Sequence, residues 1–60
     1  MASRFRIGAR VQACNGDDAG RVIRANAYER ARPHKRGDVL VAWDSGVRTW
    51  TPPKIVCRLR

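Results

Sequence analysis

Two β-rich runs, Val39-Leu40-Val41-Ala42-Trp43 and Val47-Arg48-Thr49-Trp50-Thr51, flank the tripeptide Asp44-Ser45-Gly46. Val, Leu, Trp and Thr suit a pleated, half-buried surface. Asp and Ser bond back to the chain at a bend, and Gly supplies the positive φ that a tight turn needs. The segment therefore predicts a β-hairpin. Pro52-Pro53 ends the second strand, because proline donates no ladder hydrogen bond. This hairpin limits the fold more than any other stretch, because its apolar face has to be covered by the rest of a short chain.

Two registers are open to it. A two-residue loop at Ser45-Gly46 places Trp43 opposite Arg48, with Trp50 diagonal to Trp43 on the same face. A three-residue loop with a glycine bulge places Trp43 opposite Val47, on the face of Val41 and Thr49. Trp50 then shares the other face with Leu40, Ala42 and Arg48. A slip of one residue exchanges the two faces completely. The bulged register is favoured, because Asp-Ser-Gly suits it and because it gathers Val39, Val41, Trp43 and Val47 on one side.

The other residues have to supply partner strands. Gly8 to Cys14 reads as a first strand, with Val11 and Ala13 inward. Residues 15–20 are turn chemistry, and Arg21-Val22-Ile23-Arg24-Ala25 reads as a second strand. Asn26 to Arg32 is compatible with a helical turn, but Pro33 and Gly37 bound the segment, so 26–37 is expected to be a long basic loop. Thr51-Pro52-Pro53-Lys54 suits a short 3-10 turn. Ile55 to Leu59 reads as the last strand, with Ile55, Cys57 and Leu59 on one face. Residues 1–4 are expected to fray, with Phe5 and Ile7 available to pack. The 60 residues make one domain, of a size that buries only about 60% of its unfolded surface. The expected fold is all-β: a five-stranded SH3-like barrel with a long basic loop between strands 2 and 3 and a short 3-10 turn before strand 5.

Two stretches resemble known families of such barrels. Gly8-Ala9-Arg10-Val11, followed by Gly16 and Gly20-Arg21-Val22-Ile23, resembles the KOW motif of ribosomal and elongation-factor proteins. Val39-x-Val41-x-Trp43-Asp44-x-Gly46 with Trp50 beyond resembles the second half of Tudor-type and Mind-bomb/HERC-type barrels. Both resemblances imply a binding module. KOW-type barrels touch RNA or proteins of transcription and translation, and Tudor-type barrels hold methylated side chains in aromatic cages. Ala9 stands where the KOW pattern usually has an acidic residue. The three aromatics Tyr28, Trp43 and Trp50 depart from the cage pattern.

Net charge is +8, from 13 basic and 5 acidic residues. Such a balance in a short chain fits an anionic partner, nucleic acid before an acidic protein face or a membrane. Eleven of the cations are arginine, whose planar fork suits phosphate. A GC-rich genome would also give an Arg-, Ala- and Gly-rich composition. Arg30, Arg32, Lys35 and Arg36 form the densest basic run, with His34 among them, and read as a phosphate-contacting arm. Arg21, Arg24 and Arg48 extend the positive face. Trp43 reads as core, whereas Trp50 is open between core packing and an exposed role. Trp50 and Tyr28 are the candidates for stacking on a base or anchoring in a partner pocket.

Catalytic chemistry is not expected. His34 is the sole histidine, and no nucleophile or orienting carboxylate is set around it in a triad. Asp17, Asp18 and Asp44 read as turn residues. No Cys/His cluster has metal-ligand spacing, so neither a metal nor a cofactor is expected. Cys14 and Cys57 are expected to be free thiols of a cytoplasmic protein, with Cys14 outward and Cys57 inward. No apolar run is long enough for a signal peptide or a transmembrane helix. The sequence reading is a non-enzymatic module that binds RNA or DNA through backbone phosphates with little sequence specificity. The alternative is a protein-interaction module that docks on an acidic protein surface through Trp50 and Tyr28.

Overall fold

The structure is a computed structural model that describes residues 5–59, so the expected frayed start at 1–4 lies outside the described residues. Strands β1 (Arg10–Ala13), β2 (Ala19–Val22), β3 (Val39–Trp43), β4 (Arg48–Thr51) and β5 (Val56–Arg58) form one sheet in the order β4-β3-β2-β1-β5. Every neighbouring pair is antiparallel. Helix α1 (Ala27–Ala31) lies between β2 and β3, and a 3-10 turn at Pro53–Ile55 precedes β5.

The domain is all-β in its sheet, but the expected barrel closure is corrected. No ladder joins β4 to β5 among the described residues, and the sheet is open. The chain leaves β4 through Pro52-Pro53, which have no N–H to donate. Among the described residues, β5 pairs only with β1.

Strands β3 and β4 take the bulged register. Val41 stands opposite Thr49 and Leu40 opposite Trp50. The Gly46 N–H donates to the Trp43 carbonyl at 2.8 Å, and the Trp43 N–H donates to the Val47 carbonyl at 2.8 Å. Gly46 has φ +102°, which only glycine adopts without strain.

Alternation then sorts the side chains. Val11, Val22, Val39, Val41 and Val56 converge on one face, where Phe5 covers them, and Trp43 packs against the cluster while staying half-buried. The expected core placement of Trp43 is therefore met only in part. Its indole N–H reaches outward to the Thr49 hydroxyl at 2.8 Å. Phe5 packs as expected, whereas Ile7 is 59% exposed. Burying a valine fully contributes about 2 kcal/mol, so this small cluster accounts for much of the apolar stabilisation.

The last strand is one residue out of the expected phase. Ile55 is absorbed into the 3-10 turn, so β5 starts at Val56. Val56 opposes Ala13 and turns inward, leaving Ile55 and Cys57 exposed. The free-thiol expectation is also corrected. Cys57 stands opposite Gln12, two residues before Cys14. The two cysteines therefore share the outer face, and they form a disulfide with Cα atoms 5.5 Å apart.

The segment 26–37 is not wholly a loop. Asn26 caps α1 by accepting from the Glu29 N–H at 2.8 Å, while the Glu29 carboxylate accepts from the Asn26 N–H at 3.0 Å. This reciprocal capping box satisfies two helix-end donors at once. It makes a five-residue helix possible just before Pro33.

Candidate nucleic-acid interface

Helix α1 and the chain that follows it lie against the outer face of the sheet. Leu40 points to that face, away from Val39 and Val41, yet it is only 3% exposed. Three contacts of α1 and the following loop cover this region. The Trp50 indole N–H donates to the Glu29 carbonyl at 3.0 Å. The Glu29 carboxylate accepts from the Arg48 guanidinium at 2.8 Å. The His34 ring lies flat on the Trp50 ring, with centroids 4.0 Å apart and planes 10° apart. His34 is fixed further by a 2.7 Å hydrogen bond between Nδ1 and the Arg32 carbonyl.

Two clefts result, and Leu40 and Trp50 line both. The first has a volume of about 400 Å³. Its floor and walls are apolar, from Phe5, Ile7, Val22, Ile23 and Leu40. Arg24, Arg30, Lys35 and Arg36 line it, together with His34 and Trp50. The second, of about 390 Å³, is lined by Glu29, Arg32, Pro33, Arg48 and Thr49 with Leu40 and Trp50.

The predicted site residues are thus brought together in part. Arg30, Lys35 and Arg36 of the basic run share the first cleft with Arg24 and Trp50. Arg32 and Arg48 face the second. Arg21 is exposed on the outer face of β2, between Arg10 and Ala42 on the neighbouring strands. Tyr28 is 74% exposed on α1 and lines neither cleft. Two further residues build the site: Glu29, and His34, which was expected only as a member of the basic run. The pattern Asn26-x-x-Glu29 was a readable capping signal. Nothing local to His34 announced its long-range stack on Trp50.

Charge is unevenly satisfied. Arg10 is paired with Asp44 at 3.1 Å and Arg48 with Glu29 at 2.8 Å. Arg21, Arg24, Arg30, Arg32, Lys35 and Arg36 form no side-chain hydrogen bond or ion pair with any described residue. Asp38, the acid that lines the first cleft, turns its carboxylate to the Lys35 backbone N–H at 3.0 Å. The cleft therefore presents cations that no described residue pairs.

Among the described residues no group of three His, Cys, Asp or Glu side chains is placed to hold a metal, and no helix is long and apolar enough to cross a membrane. Compared with family models, curated proteins and solved structures, the chain matches none.

Proposed function

We propose that this chain is a small non-enzymatic binding module that holds nucleic acid through backbone phosphates with little sequence specificity. One observation carries the reading. Arg24, Arg30, Lys35 and Arg36 converge on a single cleft, and none is ion-paired with a described residue. Unpaired cations gathered on one side of a small fold raise the local concentration of polyanions and release counterions when phosphate binds. The resemblance of residues 8–23 to the KOW motif points the same way. His34 supports a binding role over a catalytic one, because its contacts are a backbone carbonyl and an indole face. Arg32 and Arg21 extend the positive surface, while Arg48 serves chiefly to hold Glu29.

The alternative, docking on an acidic protein through Trp50 and Tyr28, draws less support. Trp50 is half-buried with its N–H engaged, and Tyr28 stands apart from both clefts. An acidic surface offers a few fixed charges, whereas the cleft gathers four cations that a continuous anionic backbone can engage together.

Fluorescence anisotropy with a labelled oligonucleotide across a salt series tests the proposal. Four phosphate contacts give a slope of about −3 in log K against log salt for single strands. Replacing Arg24, Arg30, Lys35 and Arg36 by Ser should flatten the slope by a comparable amount. Undetectable binding at low salt, or a slope that the four substitutions leave unchanged, would sink the reading.

A further inference from the structure

The cleft combines features that a purely phosphate-binding groove does not need. Its floor is apolar, with Phe5, Val22 and Leu40 buried and Ile23 half-buried. One wall is the stacked pair His34 and Trp50. Trp50 is half-buried, with its indole N–H already used. His34, in contrast, is exposed and lines the cleft. The ring is held in place on two sides, by the indole against one face and by the Arg32 carbonyl at Nδ1. A ring immobilised in this way loses little further entropy when a second planar group settles on it.

We infer that His34, braced from behind by Trp50, is a stacking platform for one unpaired base, and that the nucleic acid this module takes is single-stranded. The inference rests on the nucleic-acid reading above and gives it a substrate class. A base lying on the free face of His34 extends the two-ring stack to three and covers the apolar floor. Its flanking phosphates then reach the rim cations Arg24, Arg30, Lys35 and Arg36. Duplex bases are already stacked and paired, so a duplex meets only the rim. An acyl chain could cover the apolar floor, but it has no planar face to match the exposed imidazole.

Three labelled probes separate the possibilities at low salt: a short oligothymidylate, an abasic oligomer of equal length, and a duplex. The abasic oligomer reports phosphate contacts alone. The parent protein should bind oligothymidylate about 5- to 150-fold more tightly than the abasic oligomer, the range expected for stacking of one base. His34→Ala should remove most of that difference, with the variant's own abasic binding as the reference. His34→Phe should retain it, because a phenyl ring keeps the planar face without the imidazole nitrogens. Equal affinity of the parent for thymidylate and abasic oligomers would overturn the inference and leave the phosphate reading standing. A difference that survives His34→Ala would overturn the assignment to His34. Failure of all three probes would remove both readings, and capture of the protein by anionic phospholipid vesicles instead would assign the cleft to lipid.

Discussion

Glu29 on α1 and Arg48 on β4 are joined at 2.8 Å, and the same Glu29 oxygen also closes the capping box of the helix. The Glu29 side chain is 13% exposed and that of Arg48 46%. One carboxylate thus both caps the start of the helix and fastens it to the sheet, on the residue whose carbonyl receives the Trp50 N–H. Helix α1 has five residues and no buried side chain, so neither propensity nor packing would hold it alone.

Removing that carboxylate should loosen the outer layer. Glu29→Ala loses half of the capping box and a partly exposed ion pair, about 1–2 kcal/mol together. Arg48→Ala should cost less than 1 kcal/mol, because the capping box survives. A double-mutant cycle read by urea unfolding separates the two contributions. Equal losses from the two single substitutions would show that the cap contributes nothing.

A second prediction concerns Gly20, where the backbone of β3 lies close against β2. A Cβ built on Gly20 would lie 2.6 Å from the Ala42 carbonyl oxygen and 2.9 Å from the Trp43 Cα. Both are backbone atoms, so no side-chain rotation relieves the clash. Gly20→Ala should destabilise the domain by about 1–3 kcal/mol, as overpacking in a tight interior does. Gly16 provides the control, since its Cβ would meet only the Ala13 Cβ at 3.9 Å. Gly16→Ala should melt close to the parent, and a similar loss at both positions would refute the distinction.

How much of this was legible in the sequence depends on the range of the interaction. The β3–β4 hairpin was readable because its turn, its alternation and its prolyl stop are all local. The burial of Leu40 was not, because it goes with the folding back of segment 26–37 onto Trp50 and Arg48. The phase of β5 turned on whether Ile55 belongs to the 3-10 turn or to the strand, a difference of one residue that exchanges the faces. That shift also reversed the expectation for Cys57. The basic run could be named from composition, but the convergence of Arg30, Lys35 and Arg36 with Arg24 and Trp50 is a property of the folded chain.

The disulfide gives a third prediction. Cys14 and Cys57 are 43 residues apart in sequence, so their bond ties β1 to β5 across most of the chain. Constraining an unfolded loop of that length is worth about 2–4 kcal/mol. Alkylation of the unreduced protein followed by intact-mass measurement should find both cysteines protected. Reduction, or Cys14→Ser with Cys57→Ser, should lower the urea midpoint strongly. Full alkylation without reductant, or a midpoint indifferent to reductant, would contradict the pairing.

The last prediction concerns acid. Asp44, at the turn of the organising hairpin, accepts hydrogen bonds from both terminal nitrogens of Arg10, at 3.1 and 3.3 Å. This bonding lowers the Asp44 carboxyl below the usual carboxylate range; desolvation opposes the shift, and the charges of Arg10 and Arg21 reinforce it. A folded-state value below the unfolded one means that folding favours the ionised form. The resulting stabilisation is fully present above the unfolded carboxylate range and is lost as pH falls through the folded value. Both side chains are well exposed, so the contribution is small and screened by salt. Asp44→Asn should therefore be less stable than the parent near neutrality in low salt. The difference should narrow as pH falls through the acid range and shrink again at high salt. Thermal melts of the two proteins across a pH series would check this, and a difference that widens towards low pH would carry the wrong sign.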